Sequence, residues 1–136
     1  MNPAFADTFY WIVLIHRKDA RHHVVLEFSC TFTSTLAPTD EVRTEVLAFS
    51  SSDEALRKAA GRTVRSVLSA RAVRVIPQSR QGFLKGLDLY EARPDKGYSL
   101  ADCISIQTMR REGLVDVLTN DRHFEQEGFR AVFRSA

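Results

Sequence analysis

Cysteine is scarce: Cys30 and Cys103 are the only two among 136 residues. Two cysteines are too few for a disulfide framework, and the chain reads as a protein of the reducing cytoplasm. Long apolar runs are absent too. The longest, Phe9 to Ile15, falls far short of the ~18 residues of a membrane-spanning helix, so no membrane role is expected. No basic stretch precedes that run and no small-residue cleavage site follows it, which argues against a signal peptide. A glycine-rich phosphate loop is missing, which disfavours nucleoside triphosphate chemistry. Repeats, low-complexity tracts and linkers are also missing, and net charge is small at +2. With 44% hydrophobic and 26% charged residues, the composition is that of an ordinary globular protein. The length predicts a single domain over residues 1–136.

What is present is a series of short apolar segments alternating with helical patterns. Pro3 to Ala6 reads as a buried strand ending at Asp7. Phe9 to Ile15 is ambiguous, because its aromatic and β-branched content favours a strand while a short buried helix has the same pattern. Ala20 to Phe32 fits a helix with Val24, Val25 and Phe28 inward. Thr39 or Asp40 caps a helix over Glu41 to Ser50, and Ser52 and Asp53 start another carrying Leu56, Ala60, Val64, Val67 and Leu68. Val73, Val75 and Ile76 form a strand stopped by Pro77. Ser79 to Tyr90 is helical through Phe83, Leu87 and Tyr90, and Ser99 caps a helix to Arg111. Val115 to Leu118 is a strand, Asp121 to Glu127 a short helix, and Arg130 to Phe133 a last strand. Strands alternating with helices predict a parallel sheet covered on both faces. In such sheets ligands bind beyond the carboxyl ends of the strands.

Four carboxylates fall at or near that edge: Asp7, Glu45, Asp102 and Asp121. Each has an ordinary alternative role. Asp7 and Asp121 could cap the helices that follow them, and Ser99-Leu100-Ala101-Asp102 is a capping-box pattern. Glu45 lies beside the stripe Val42, Val46, Phe49, where a carboxylate needs a partner. Gathered together, four like charges would raise one another's pKa unless a cation sat between them. Clustered carboxylates suit hard divalent ions, which polarise phosphoryl oxygens and activate water. Ser105, one turn after Asp102, could face the same site. His22 and His23 are adjacent and diverge on a helix, while His16 and His123 have no cysteine or histidine at ligand spacing; these histidines read as surface or packing residues. Cys103 reads as an inert core thiol. From Arg57 to Arg80 no acidic residue occurs. That stretch is either a solvated helix face or a surface for a polyanion, and phosphate contact suits it better than base stacking.

Tyr98-Ser99-Leu100-Ala101-Asp102-Cys103-Ile104-Ser105, followed by Leu118-Thr119-Asn120-Asp121-Arg122-His123-Phe124, resembles two motifs of the PIN-domain family. Phe5-Ala6-Asp7-Thr8 looks like the family's first acidic motif, and Thr39 to Leu47 like the second, with Glu45 at its acidic position. Within the family the chain looks most like VapC-type toxins and their stand-alone relatives. The resemblance implies a three-layer α/β/α sandwich on a central parallel sheet and makes Phe9 to Ile15 a helix. It implies a Mg²⁺- or Mn²⁺-dependent endoribonuclease, with Asp7, Glu45, Asp102 and Asp121 catalytic and one or two ions held by Asp7, Asp102 and Asp121. Arg57, Arg62 and Arg65, with Ser105, are the residues expected to meet RNA. Expected partners are RNA and, for a toxin, a small cognate antitoxin, with a homodimer compatible. The alternatives are a PIN-fold processing nuclease outside toxin–antitoxin systems, or a catalytically silent binding module. One departure stands out: the segment before the second motif is Leu36-Ala37-Pro38. Proline cannot donate to a sheet ladder, so that strand is expected to be short or at an edge.

Overall fold

A computed structural model describes residues 1–135. The elements run β1 (Ala4–Ala6), α1 (Thr8–Ile15), α2 (His22–Thr31), β2 (Leu36–Ala37), α3 (Asp40–Phe49), α4 (Glu54–Val67), α5 (Arg80–Ala92), α6 (Leu100–Glu112), β3 (Asp116–Leu118), α7 (Arg122–Gln126) and β4 (Arg130–Ala131). The four strands are parallel, in the order β2-β1-β3-β4. Helices cover the sheet on both faces, giving the expected α/β/α sandwich. After β1 the chain passes to β2 on one side, and later to β3 on the other. The crevice at this switch lies at the carboxyl ends of β1 and β3.

Register sets what meets there. Ala6 pairs with Leu118, and Phe5 with Ala37. The next residues out are therefore Asp7, Thr119 and Thr39, a polar row along the sheet edge. Pro38 ends β2 after two residues. It is not the outermost segment, because residues 72–76 pair along its free side through bridges Leu36–Val73 and Thr39–Ile76. The Pro38 carbonyl accepts from Ile76 N at 2.9 Å, so proline gives the one group it still has. The expected strand Val73 to Ile76 is present only as these bridges.

The Phe9–Ile15 stretch, whose composition favours a strand, is helix α1. It packs against α2, α3 and α4, and Trp11 Nε1 donates to the Ala6 carbonyl at 3.1 Å. A helix covered on several sides keeps no polar face and shows no helical period. Several inward assignments are corrected. Val24 on α2 is exposed, while Val25 is buried and Phe28 partly so. Phe49 and Leu68 are exposed as well, and Ser50 takes the next buried position after Val46. On α5 the buried positions are Gly82, Gly86 and Leu89, with Phe83 and Tyr90 exposed. A Cβ at Gly86 would run into Ile104, so α5 packs on α6 at backbone distance and its inner face is partly glycine.

Candidate active site

Three of the four carboxylates, Asp7, Asp102 and Asp121, stand at the start of a helix. Asp7 is the N-cap residue of α1, but its side chain makes no capping hydrogen bond, so the ordinary alternative fails for this residue. The Thr8 backbone and the Thr119 hydroxyl favour its ionised form. Asp121 does cap α7, with Oδ1 accepting from His123 N at 2.9 Å. Asp102 closes a capping box with Ser99, at 3.1 and 3.2 Å. For Asp102 and Asp121 the helix-capping role and a place in the site coexist. In Asp121 the cap takes Oδ1 and Oδ2 lies toward His123, whereas in Asp102 the capping oxygen Oδ2 is itself the one nearest His123. Glu45, in the second turn of α3, has found a donor: Thr8 Oγ1 at 2.7 Å.

The cluster is electrostatically tense. Burial pushes the Asp7 carboxyl up from 3.8 to about 7, with repulsion from Asp102 and Glu45 adding to it. The Thr8 backbone and Thr119 hydroxyl pull it partly back. Among the described residues, no lysine or arginine forms an ion pair with any of the four. His123, read from sequence as a surface or packing residue, stands in the site instead. Its Nδ1 is 3.4 Å from Asp102 Oδ2 and 3.4 Å from Asp121 Oδ2. One ligand atom from each of these three residues lies within 4.8 Å of the others. The Nδ1 atom is buried and has no hydrogen-bond partner. An orphaned buried nitrogen beside uncompensated carboxylates fits a divalent cation with oxygen and imidazole ligands.

Sequence reasoning missed Thr8, Thr119 and His123. All three stand within two residues of a named aspartate, and that adjacency was the available signal. Ser105 is only 3% exposed, so its hydroxyl is not a surface group. Cys103 is buried, and that burial pushes its thiol up. Arg57, Arg62 and Arg65 line one open groove of α4 with Glu54, Lys58 and Gly61. Arg62 also borders Leu14, Ile15 and Arg17, at the end of α1 away from Asp7, a helix ~12 Å long at 1.5 Å per residue. Arg62 thus stands at one end of α1 and Asp7 at the other. No helix among the described residues is long and apolar enough to cross a membrane.

A parallel α/β sandwich whose switch-point carboxylates have no lysine or arginine ion partner among the described residues defines a class of small acidic-site α/β domains. The PIN domain family model matches residues 4–129, and the chain belongs to that family. Solved structures agree on the fold. The chain is similar to VapC20 of Mycobacterium tuberculosis, described as a sarcin–ricin-loop-cleaving toxin, with a TM-score of 0.86, 21% identity, and coverage of 96% of this chain and 98% of that one. It is also similar to VapBC2 of Rickettsia felis, solved bound to a DNA fragment from its promoter, with a TM-score of 0.66, 16% identity and 96% coverage of both chains. None of the curated proteins matches the chain.

Proposed function

We propose that this chain is a single-domain, divalent-metal-dependent endoribonuclease of the cytoplasm, acting as the toxin of a type II toxin–antitoxin pair. What supports the reading is that Asp102 and Asp121 meet at His123, that the charges of Asp102 and Glu45 reach Asp7, and that no lysine or arginine is paired to any of the four among the described residues. Family membership supports a nuclease, and the likeness to VapC20 and VapBC2 supports the toxin role.

Asp7, Asp102 and Asp121 would hold one or two Mg²⁺ or Mn²⁺ ions, and Glu45 would orient a water toward phosphorus. When bound, the ion draws charge from the phosphoryl oxygen and lowers the pKa of water. The chain supplies the rest. Thr8 holds Glu45 through its hydroxyl, so little reorganisation of that carboxylate is needed when substrate arrives. Asp7 gives up its proton as positive charge enters, because an opposite charge favours the ionised form. Arg57, Arg62 and Arg65 hold the RNA backbone by charge. The products implied are a 5′-phosphate and a 3′-hydroxyl. An antitoxin would place an arginine or lysine among the carboxylates, a charge-assisted match for an acidic mouth. A homodimer would cover the exposed α5 row Phe83, Leu84 and Tyr90.

The test is cleavage of RNA by the purified chain with and without EDTA, beside Asp102→Asn. The expected outcome is cleavage with Mg²⁺ or Mn²⁺, none in EDTA, and none by the folded variant. Full cleavage in EDTA, or by folded Asp102→Asn, would sink the metal mechanism. An inactive wild type that still binds RNA would favour a silent module.

A further inference from the structure

We infer that His123 is a nitrogen ligand of the divalent ion held by Asp102 and Asp121, and that it tilts the site toward Mn²⁺ over Mg²⁺. The inference rests on the metal-dependent reading above and goes beyond its four carboxylates.

The geometry of Nδ1 is the first support. It stands 3.4 Å from one oxygen of each aspartate, yet makes no hydrogen bond to either and is buried. A nitrogen acting as a donor would close on one oxygen to ~2.7–3.2 Å. Standing level with both instead suits a third vertex around a common centre. Adjacent ligands on an octahedral ion with bonds of ~2.1 Å stand ~3 Å apart, so a small inward movement of three side chains would place them there.

The second support is how the ring is held. Asp121 caps α7, and the His123 backbone N–H returns to Asp121 Oδ1 at 2.9 Å. That turn brings residues 121 and 123 to the same side. The imidazole leans on the Tyr98 ring, with centroids 5.0 Å apart. Tyr98 is itself anchored, its hydroxyl donating to Glu127 Oε2 at 2.9 Å. The backbone bond to Asp121 thus places the residue, and the Tyr98 ring packs against one side of its imidazole.

The consequence follows from ligand chemistry. Mg²⁺ prefers carboxylate, carbonyl and water oxygens, whereas imidazole favours transition metals. One imidazole beside carboxylates therefore raises affinity for Mn²⁺ more than for Mg²⁺.

The experiment uses Mn²⁺ itself as the probe on the full chain, by pulsed EPR and by calorimetric titration, with no RNA present. Bound Mn²⁺ should show coupling to one imidazole nitrogen. That coupling should vanish in both His123→Ala and His123→Gln, with Mn²⁺ binding weakened about tenfold and Mg²⁺ binding changed less than Mn²⁺ binding. The wild-type spectrum alone is decisive if a variant fails to fold. Mn²⁺ bound without nitrogen coupling, or coupling that survives in the folded variants, overturns this inference and leaves the carboxylate site standing. A wild type that binds neither ion overturns both readings.

Discussion

Glu127 and Asp7 are both carboxylates withdrawn from water, the Glu127 side chain to 4% exposure and Asp7 to 9%. Their neighbours differ in sign. Glu127 accepts from Arg93 at 3.0 and 3.3 Å, from Arg110 at 2.7 Å and from the Tyr98 hydroxyl at 2.9 Å. Those donors overcome the cost of burial and hold its carboxyl down at about 2. Asp7 meets Asp102 and Glu45, and stands at about 7. The first site is complete in the polypeptide and ties the segment after α5 to α6 and the end of α7. The second is incomplete, because a buried charge that lacks a partner is costly unless something outside the chain supplies one. Under the proposed function, stability and chemistry fall to two different carboxylate sites, joined by the Tyr98–His123 contact.

The comparison breaks first at Asp7. Its folded value lies above the ordinary 3.8, so between pH ~4 and ~7 the folded chain keeps a proton that the unfolded chain releases. Metal-free stability attributable to Asp7 therefore falls as pH rises through that window. Asp7→Asn should raise the Tm measured in EDTA. The gain should grow from pH ~4 to ~7 and then level off, with an upper bound of ~4 kcal/mol at ~1.4 kcal/mol per pH unit. Adding Mn²⁺ should reverse the order by stabilising wild type more. A variant no more stable than wild type at pH 8 in EDTA would mean that the acidic mouth is already neutralised from within the chain.

Glu127 should behave in the opposite way. Its folded value is depressed from the ordinary 4.5, so its contribution is fully present above pH ~4.5 and disappears as pH falls toward ~2. Glu127→Gln should cost ~2 kcal/mol in urea denaturation at pH 7. That is less than for a fully buried pair, because Arg93 and Arg110 still reach water. The difference from wild type should shrink steadily below pH ~4. A cost that does not change with pH would assign the effect to packing rather than charge.

The two sites also differ in how far they could be read from residues alone. Asp7, Asp102 and Asp121 were legible because each ends a strand or opens a helix, and parallel sheets bring such positions to one edge. The Glu127 cluster was invisible, since its partners are 34, 17 and 29 residues away in the chain. The neighbourhood of His123 was also out of reach, because a rule that looks for ligands along the sequence does not see Asp102 approach it across the fold. The same limit explains α5. Apolar periodicity pointed to Phe83 and Tyr90, but the tight contact with Ile104 requires glycine, and glycine carries no hydrophobic signal. In α1 the signal was too strong rather than too weak, because burial on several sides removed the period that distinguishes helix from strand.

The finest test of the comparison separates two glutamates one turn apart on α3. Glu41 lies in the first turn after the Thr39 cap, where the helix N-terminus favours a carboxylate without further help. Glu45 lies past that turn and is engaged by Thr8 at 2.7 Å, beside Asp7, whose proton it helps retain. Glu45→Gln keeps an oxygen that can accept from Thr8, so the fold should tolerate it. It removes one of the two charges that raise Asp7, so the Asp7 value followed by carboxyl NMR should move down. Metal-free stability should rise slightly for the same reason. Cleavage should fall at least tenfold, ~1.4 kcal/mol of transition-state stabilisation, because the lost charge stood next to the reacting centre. Glu41→Gln should leave cleavage within about twofold and lower stability by a few tenths of a kcal/mol, the scale of a helix-dipole contact. The reverse pattern would move the acidic position of this motif back by one helical turn and reduce the Thr8–Glu45 bond to a strut between α1 and α3.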